Sequence, residues 1–361
     1  LMFLIVTKSF PPEKGGMQNL MGGLSTTLSK FNLIKVITDY HEDAINHDKN
    51  FSFTIDRVKG IKLLRKYRKA LHANNFLKSN NNITCVIADH WKSLELIKTN
   101  KKKICLIHSK EINHDKGSRD NKRSLKVLNN ADYVISNSHF TKNLAIEKGV
   151  KPEIIKVINP GVSPIEDINK KYIPETEKLL KNKSPRLITV SRFDKRKNHE
   201  KVIMAIRNLK QIYPNIIYIC IGYGDEEENL KKLVTELTLE DHVVFLNDIS
   251  QDYKNAILSK SDIFVMPSIK YKKSVEGFGI SFVEAAQFGL PSIGGKDGGA
   301  SDAITHEETG YICDGNSLDE IYSSIQRALE NNLYKHLGAK AKIVAKKFEW
   351  NNVIKQYLEI L

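Results

Sequence analysis

The chain has only four cysteines, Cys85, Cys105, Cys220 and Cys313, and no two stand in a C-x-x-C spacing. Three lie inside apolar runs, which excludes a disulfide scaffold and predicts reduced core thiols. No Asp-x-Asp occurs and no His/Cys group has ligand spacing, so no metal site is expected. No apolar run approaches the length that crosses a bilayer. Leu1 to Val6 is too short for a signal peptide, lacks a basic lead-in, and runs into Thr7 and Lys8 as a first strand does. These absences predict a cytoplasmic protein. Solenoid repeats, low-complexity tracts, a P-loop and G-x-G-x-x-G are missing too. Acidic residues are scarce in one half only. Residues 1–165 carry 28 Lys+Arg against 14 Asp+Glu and the remainder 28 against 28, so the whole +14 excess lies in the first half. That asymmetry predicts an anionic partner there: phospholipid headgroups, a phosphorylated acceptor or nucleic acid.

What is present is an ordinary globular composition over 361 residues, 41% apolar and 27% charged, enough for two domains with a core each. Short β-branched runs alternate with longer amphipathic ones. Strands are expected at 2–6, 33–37, 83–87, 104–107, 132–136 and 154–158, then at 186–191, 216–221, 242–246 and 262–266. Helices are expected at 17–29, 61–73, 139–147, 199–209 and 226–237. The alternation predicts an α/β fold of two doubly wound, Rossmann-like domains with parallel sheets. Asn159-Pro160-Gly161, Pro164, the polar stretch 166–183 and Pro185 mark the seam. Domains of 1–167 and 168–349 follow, with a last helix at 350–361 packing back on the first.

Three segments carry chemistry. Glu276 and Glu284 stand with seven residues between them, the first in a loop softened by Gly277 and Gly279, the second in a helix that Ser281 is placed to cap. A carboxylate accepts from two neighbouring hydroxyls, as a sugar or ribose offers, and a helix N-terminus favours phosphate. At the exit of strand 186–191, Arg192 and Lys197 form a cation pair suited to a diphosphate, with Asn198 as the expected cap of the next helix and Lys195 and Arg196 as a solvated face. After the first strand, Gly15-Gly16 opens a helix with bare backbone that can approach phosphate. The Gly222-Tyr223-Gly224 turn leads into four acidic residues that would repel a pyrophosphate, so it reads as structural.

Together these segments resemble the retaining GT-B glycosyltransferases of family 4, whose E-x7-E signature Glu276 to Glu284 matches. Further points of likeness follow in order: Asn159-Pro160-Gly161-Val162, Ser191-Arg192 with Lys197-Asn198, Gly289-Leu290-Pro291, Gly298-Gly299 and the helix of Trp350. The resemblance implies two domains facing a central cleft and metal-independent transfer of a sugar, with retention, from a UDP- or GDP-type donor. It needs no cofactor beyond that substrate. The acceptor is a glycan or lipid-linked molecule in surface polysaccharide or glycolipid synthesis. Carried over residue by residue, Arg192 and Lys197 bind the diphosphate and stabilise its departure, Glu284 binds the ribose and Glu276 the transferred sugar. The backbone of Gly277, Phe278 and Gly279 meets sugar and phosphate, with Gly15 and Gly16 closing from the other domain. His108, at the end of strand 104–107, falls beside the reacting sugar; Asp89 and Glu111 are acceptor contacts. Asn247 and Asp248 stand where many members have a glycine, so base contacts differ here.

A sugar-nucleotide epimerase, a two-carboxylate glycosidase and a basic nucleic-acid-binding module are the rival readings. Arg57, Lys59, Lys62, Arg65, Lys66, Arg68 and Lys69 crowd one expected helix whose Ile61, Leu64 and Leu71 would face inward. The cations left outside predict peripheral docking on the anionic inner face of a membrane.

Overall fold

The computed structural model describes residues 1–165 and 167–361; Glu166, in the expected seam, and the Lys62 side chain lie outside the description. The chain forms two compact units, Leu1–Ser163 with Phe348–Leu361, and Pro164–Lys347. Among the described residues, no helix is long and apolar enough to cross a membrane.

The N-terminal unit holds seven strands: β1 (Met2–Val6), β2 (Leu33–Asp39), β3 (Thr54–Val58), β4 (Ile83–Ala88), β5 (Lys102–Ile107), β6 (Tyr133–Ser136) and β7 (Ile155–Val157). All pairs are parallel in the order β3-β2-β1-β4-β5-β6-β7. β1 is half-buried at Met2 and buried from Phe3 to Val6 because its apolar run is covered on both faces, as a central parallel strand requires. β3 was not expected: Thr54-Ile55-Asp56-Arg57-Val58 is a half-buried edge whose polar residues hide the β-branched ones.

Two helices matter in this unit. Helix α1 (Gly16–Leu28) brings Gly23 against the indole of Trp350, which Gly161 also approaches. Only glycine leaves room at these two approaches, and Trp350, Val353, Ile354 and Tyr357 of the C-terminal helix Trp350–Leu358 thereby join the core of the first sheet. Helix α2 (Arg65–Ser79) corrects the expected burial. Its inward stripe is Ala70, Ala73 and Leu77, at helical spacing, with Lys69 beside them. Small side chains let the helix close on the sheet, which turns Ile61, Leu64 and Leu71 outward. The expected free cations are also largely tied: Lys69 Nζ donates to Asp39 Oδ1 at 2.8 Å and to the Thr7 carbonyl at 2.9 Å. Arg57 pairs with Asp48 at 2.7 Å, Arg65 approaches Asp39 at 3.6 Å, and Lys66 pairs with Glu95.

The C-terminal unit holds β8 (Arg186–Val190), β9 (Ile217–Ile221), β10 (Val243–Leu246), β11 (Ile263–Met266), β12 (Ser292–Gly295) and β13 (Gly310–Cys313), in the parallel order β10-β9-β8-β11-β12-β13. β12 and β13 were not expected, since Ser292-Ile293-Gly294-Gly295 and Gly310-Tyr311-Ile312-Cys313 are short and glycine-bearing. In each sheet the strand order reverses direction once, between β1 and β4 and between β8 and β11. At such a switch point the flanking connections diverge to opposite faces and leave a crevice beyond the strands' carboxyl ends. The four cysteines are buried and unpaired, and burial pushes the thiols up, Cys85 and Cys313 to about 12.

Candidate functional site

Of the expected diphosphate, ribose and sugar residues, Arg192 and Lys197 follow β8 and Glu276 and Glu284 follow β11, the two strands that flank the switch point of the second sheet. Beyond β8, the loop from Ser191 is clamped by the Gly222-Tyr223-Gly224 turn: Phe193 N–H donates to the Tyr223 carbonyl at 2.9 Å and Glu226 N–H to the Phe193 carbonyl at 3.0 Å. A side chain on Gly222 would strike the Ser191 carbonyl, so the glycine serves this close approach. Phe193 is buried and edge-on to His199 and Phe245. The Asp194 carboxylate then accepts from Lys197 N–H at 3.1 Å, tightening Lys195–Lys197 into a 3-10 turn.

Asn198 adopts φ 65° and does not cap helix α3 (His199–Leu209) with its side chain. Its Nδ2 instead donates to the carbonyls of Pro267 at 2.9 Å and Gly315 at 2.7 Å, tying the loop to the β11 exit. The cap expectation fails because the left-handed backbone points the amide away from the helix N–H groups.

Glu276 enters from the β11 side, buried, with its carbonyl accepting from Gly299 N–H at 2.9 Å. Its Oε2 accepts from Arg196 Nη1 at 2.8 Å and from Lys197 Nζ, which also approaches Met266 Sδ at 3.5 Å. Arg196 is therefore not a solvated residue; the 3-10 turn swings it onto the carboxylate. Burial by itself would raise the Glu276 carboxyl, but Lys197 and Arg196 override it and hold the group at about 2. Burial lowers the Lys197 ammonium, and Glu276 offsets this only in part. His199, pushed by burial and by Lys197 to about 3, stays neutral. Two cations thus face one carboxylate. Arg192 stands exposed at the same strand end, its guanidinium without a partner among the described residues.

Past Glu276, Gly277, Phe278 and Gly279 are buried, and Gly279 reaches φ 88° at the start of helix α5, counting α4 as Gln251–Ser259 and α5 as Ile280–Gln287. Ser281 is not the cap. It lies inside the first turn, its hydroxyl 3.9 Å from Met266 Sδ. Glu284 is half-buried on the second turn, and Lys254 of α4 approaches its Oε2 at 3.5 Å. Sequence reasoning missed Arg196 and Lys254. Arg196 was legible only as one of three consecutive cations, and Lys254 carried no local signal.

In the N-terminal unit the residues near the β1/β4 switch point interlock. Asp89 is only 2% exposed. Its Oδ2 accepts from Thr7 Oγ1 at 2.8 Å, Lys8 N at 2.9 Å and Ser9 N at 3.3 Å, and its Oδ1 from Ser93 Oγ at 2.7 Å. With both oxygens engaged and no surface, Asp89 is a staple of the β1 exit loop and corrects the acceptor-contact expectation. Glu111 is half-buried, its Oε1 accepting from His108 N–H and its backbone carbonyl from Trp91 Nε1 at 2.9 Å. His108 Nε2 lies 3.1 Å from the Asp89 carbonyl. A carbonyl only accepts, so Nε2 is the donor in this contact. Gly15, at φ 155°, and Gly16 open α1 without a side-chain cap. Among the described residues no cluster of three or more His, Cys, Asp or Glu could hold a metal ion.

Comparison with known proteins bears on this arrangement. The glycosyl transferases group 1 model matches residues 174–344, and the Glycosyltransferase Family 4 model matches residues 36–166. An uncharacterized glycosyltransferase of Haemophilus influenzae is 26% identical over 240 residues, 65% of this chain and 62% of its own. A GDP-mannose-dependent alpha-(1-6)-phosphatidylinositol monomannoside mannosyltransferase of Mycobacterium tuberculosis is 31% identical over 147 residues, 40% of this chain and 38% of its own. The chain thus spans less than two thirds of these relatives' length. Anabaena HepE, solved in complex with UDP, shares the fold at a TM-score of 0.84, with 18% identity and coverage of 100% of this chain and 99% of that one. The Family 4 match carries the first sheet from β2 onward and the group 1 match the second sheet with its Arg192 to Glu284 site, so the chain belongs to the family 4 glycosyltransferases of the GT-B fold.

Proposed function

We propose that the protein is a retaining glycosyltransferase that moves a sugar from a nucleotide donor of UDP or GDP type to a glycan or lipid-linked acceptor in surface polysaccharide or glycolipid synthesis. The observation that carries this reading is the cluster at the second switch point: two cations on one buried carboxylate, with Arg192 unpartnered beside them. The excess positive charge suits a diphosphate. In this reading Arg192 and Lys197 take the phosphate oxygens, and Glu276, still held by Arg196, turns its free acceptor positions to the sugar hydroxyls. Glu284 receives the ribose and the backbone of Gly277 to Gly279 the sugar and phosphate. The C–O bond to phosphate breaks with its electron pair on the leaving oxygen, which the cations stabilise in the role a divalent metal plays elsewhere. The acceptor oxygen attacks from the same face, and its proton passes to that phosphate oxygen. His108, positioned by its Nε2 contact to the Asp89 carbonyl, meets the reacting sugar from the N-terminal unit.

In the glycosidase alternative one carboxyl of the pair must stay protonated, and Glu276, held at about 2, cannot be that acid. The test is nucleoside diphosphate release from UDP- and GDP-sugars, with and without lipid-linked and glycan acceptors. Release that requires acceptor and persists in EDTA is expected. Acceptor-independent release overturns the transferase, and loss in EDTA restored by Mg²⁺ overturns the metal-free clamp.

A specific observation favours a second element of this reading, docking on the anionic inner face of a membrane. Ile61, Leu63, Leu64, Tyr67 and Leu71 are 66%, 85%, 46%, 60% and 62% exposed within eleven residues. Tyr67 and Leu71 share one face of α2, with Arg68 exposed between them and Leu64 just before the first turn. Apolar side chains that enter the acyl boundary, flanked by cations, suit an anionic lipid surface better than charge alone would. Vesicles of phosphatidylglycerol should sediment the protein, and L63S/Y67S/L71S should cut binding by about tenfold or more, at roughly 0.8 kcal/mol per buried methylene. Equal binding of that variant, or none by the wild type at low salt, would sink the docking.

A further inference from the structure

Between β11 and Glu276 the chain makes a small hairpin that neither the diphosphate clamp nor the sugar contact uses. Tyr271 and Ser274 exchange two backbone hydrogen bonds, each N–H donating to the other's carbonyl at 3.0 Å. Lys272, in the turn, takes φ 54°, a left-handed conformation that glycine or asparagine adopts more cheaply. The Tyr271 ring is exposed and flanked by two ammonium groups, Lys195 Nζ at 5.9 Å and Lys272 Nζ at 5.5 Å from its centroid. Lys195, Lys270 and Lys272 are all exposed and form no ion pair among the described residues.

This excess is local, since residues 166–361 as a whole are balanced at 28 basic against 28 acidic. Three exposed lysines on one short surface raise the local positive potential, which favours an anionic ligand there. The hairpin is also anchored to the site. Ile269 N–H donates to the Arg196 carbonyl at 2.9 Å, Lys270 N–H donates to Asp297 Oδ2 at 3.1 Å, and the returning leg leads into Glu276.

We propose that this hairpin binds an acidic sugar of the acceptor, its ring stacking on Tyr271 while Lys195, Lys270 and Lys272 pair with its carboxylate or phosphate. An exposed aromatic face packs against the C–H face of a pyranose, and flanking ammonium groups supply charge-assisted bonds to the acid. The inference rests on the glycosyltransferase reading for the word acceptor, whereas the binding itself does not.

The test titrates the full chain with glucose, glucuronate and glucose 6-phosphate, followed by NMR, with no nucleotide and again with saturating UDP or GDP. Glucuronate or glucose 6-phosphate should bind about tenfold more tightly than glucose, with and without nucleotide, the stronger of the two naming the acid. K270Q/K272Q should lose that preference while nucleotide affinity is unchanged, and Y271A should weaken all three sugars alike. Equal binding of charged and neutral sugars, no binding of any, preference kept by K270Q/K272Q, or preference abolished by nucleotide would each overturn the hairpin as the acid's site. Failure of UDP and GDP to bind would instead strike the transferase reading, so the two failures are distinguishable.

Discussion

Replacing Glu276 by alanine should lower the stability of the C-terminal unit by about 3 kcal/mol at neutral pH and cut turnover by roughly a hundredfold or more. The stability loss arises because the Lys197 ammonium and the Arg196 guanidinium, which lies 2.8 Å from Glu276 Oε2, would keep only Asp194, 3.9 Å from Arg196 Nη2, as a counter-charge among the described residues. Unpaired buried charge costs far more than a surface pair, whose partners water would screen. The pH dependence supplies an independent check with a definite sign. The folded carboxyl sits at about 2 against an ordinary 4.5. A depressed folded value means the contribution is present in full above the unfolded pKa and disappears as pH falls through the folded one. The wild type should therefore lose about 3 kcal/mol between pH 4.5 and 2, and Glu276→Ala should lose that much less over the same window. Urea midpoints measured across the window test it; parallel profiles for the two proteins would show that the ion cluster does not hold the loop.

Arg192→Ala should behave in the opposite way. Its guanidinium is exposed and partnerless among the described residues, so the thermal midpoint should stay unchanged. Turnover should drop by about 10² to 10³, the usual consequence of removing one charge-assisted contact to a developing phosphate charge. Lys197→Ala should show both losses, because the same ammonium holds Glu276 and would meet the phosphate. Wild-type turnover in Arg192→Ala would remove this residue from the diphosphate clamp, and a lowered midpoint would reveal a structural contact instead. The pair of variants thus separates two cations only five residues apart: one already engaged in the fold, the other waiting at a strand end.

The sequence by itself determined the apolar strands at the centre of each sheet and the loop-then-helix setting of the two acids. Apolar β-branched runs such as Met2–Val6 and Ile217–Ile221 are dictated by burial on both faces of a parallel sheet, a local requirement visible without partners. The spacing of Glu276 and Glu284 was legible because a glycine-bearing loop and the following helix are also local. Tertiary structure decided what depends on distant residues. Among Lys195, Arg196 and Lys197, the choice of which cations reach Glu276 follows from a 3-10 turn set by Asp194 and from Asn198 bonding to Pro267 and Gly315. Asp89 was an acceptor contact only by resemblance, and it is Thr7, Lys8, Ser9 and Ser93, distant in sequence or across the loop, that fill its oxygens. The face that α2 buries was likewise not readable from its periodicity. Leu64 and Leu71 have the apolar pattern of an inner stripe, but Ala70 and Ala73 pack closer to the sheet and Lys69 finds Asp39 and the Thr7 carbonyl beneath it. Hydrophobic periodicity reports which faces a helix has; the neighbours' shape and charge decide which one turns inward.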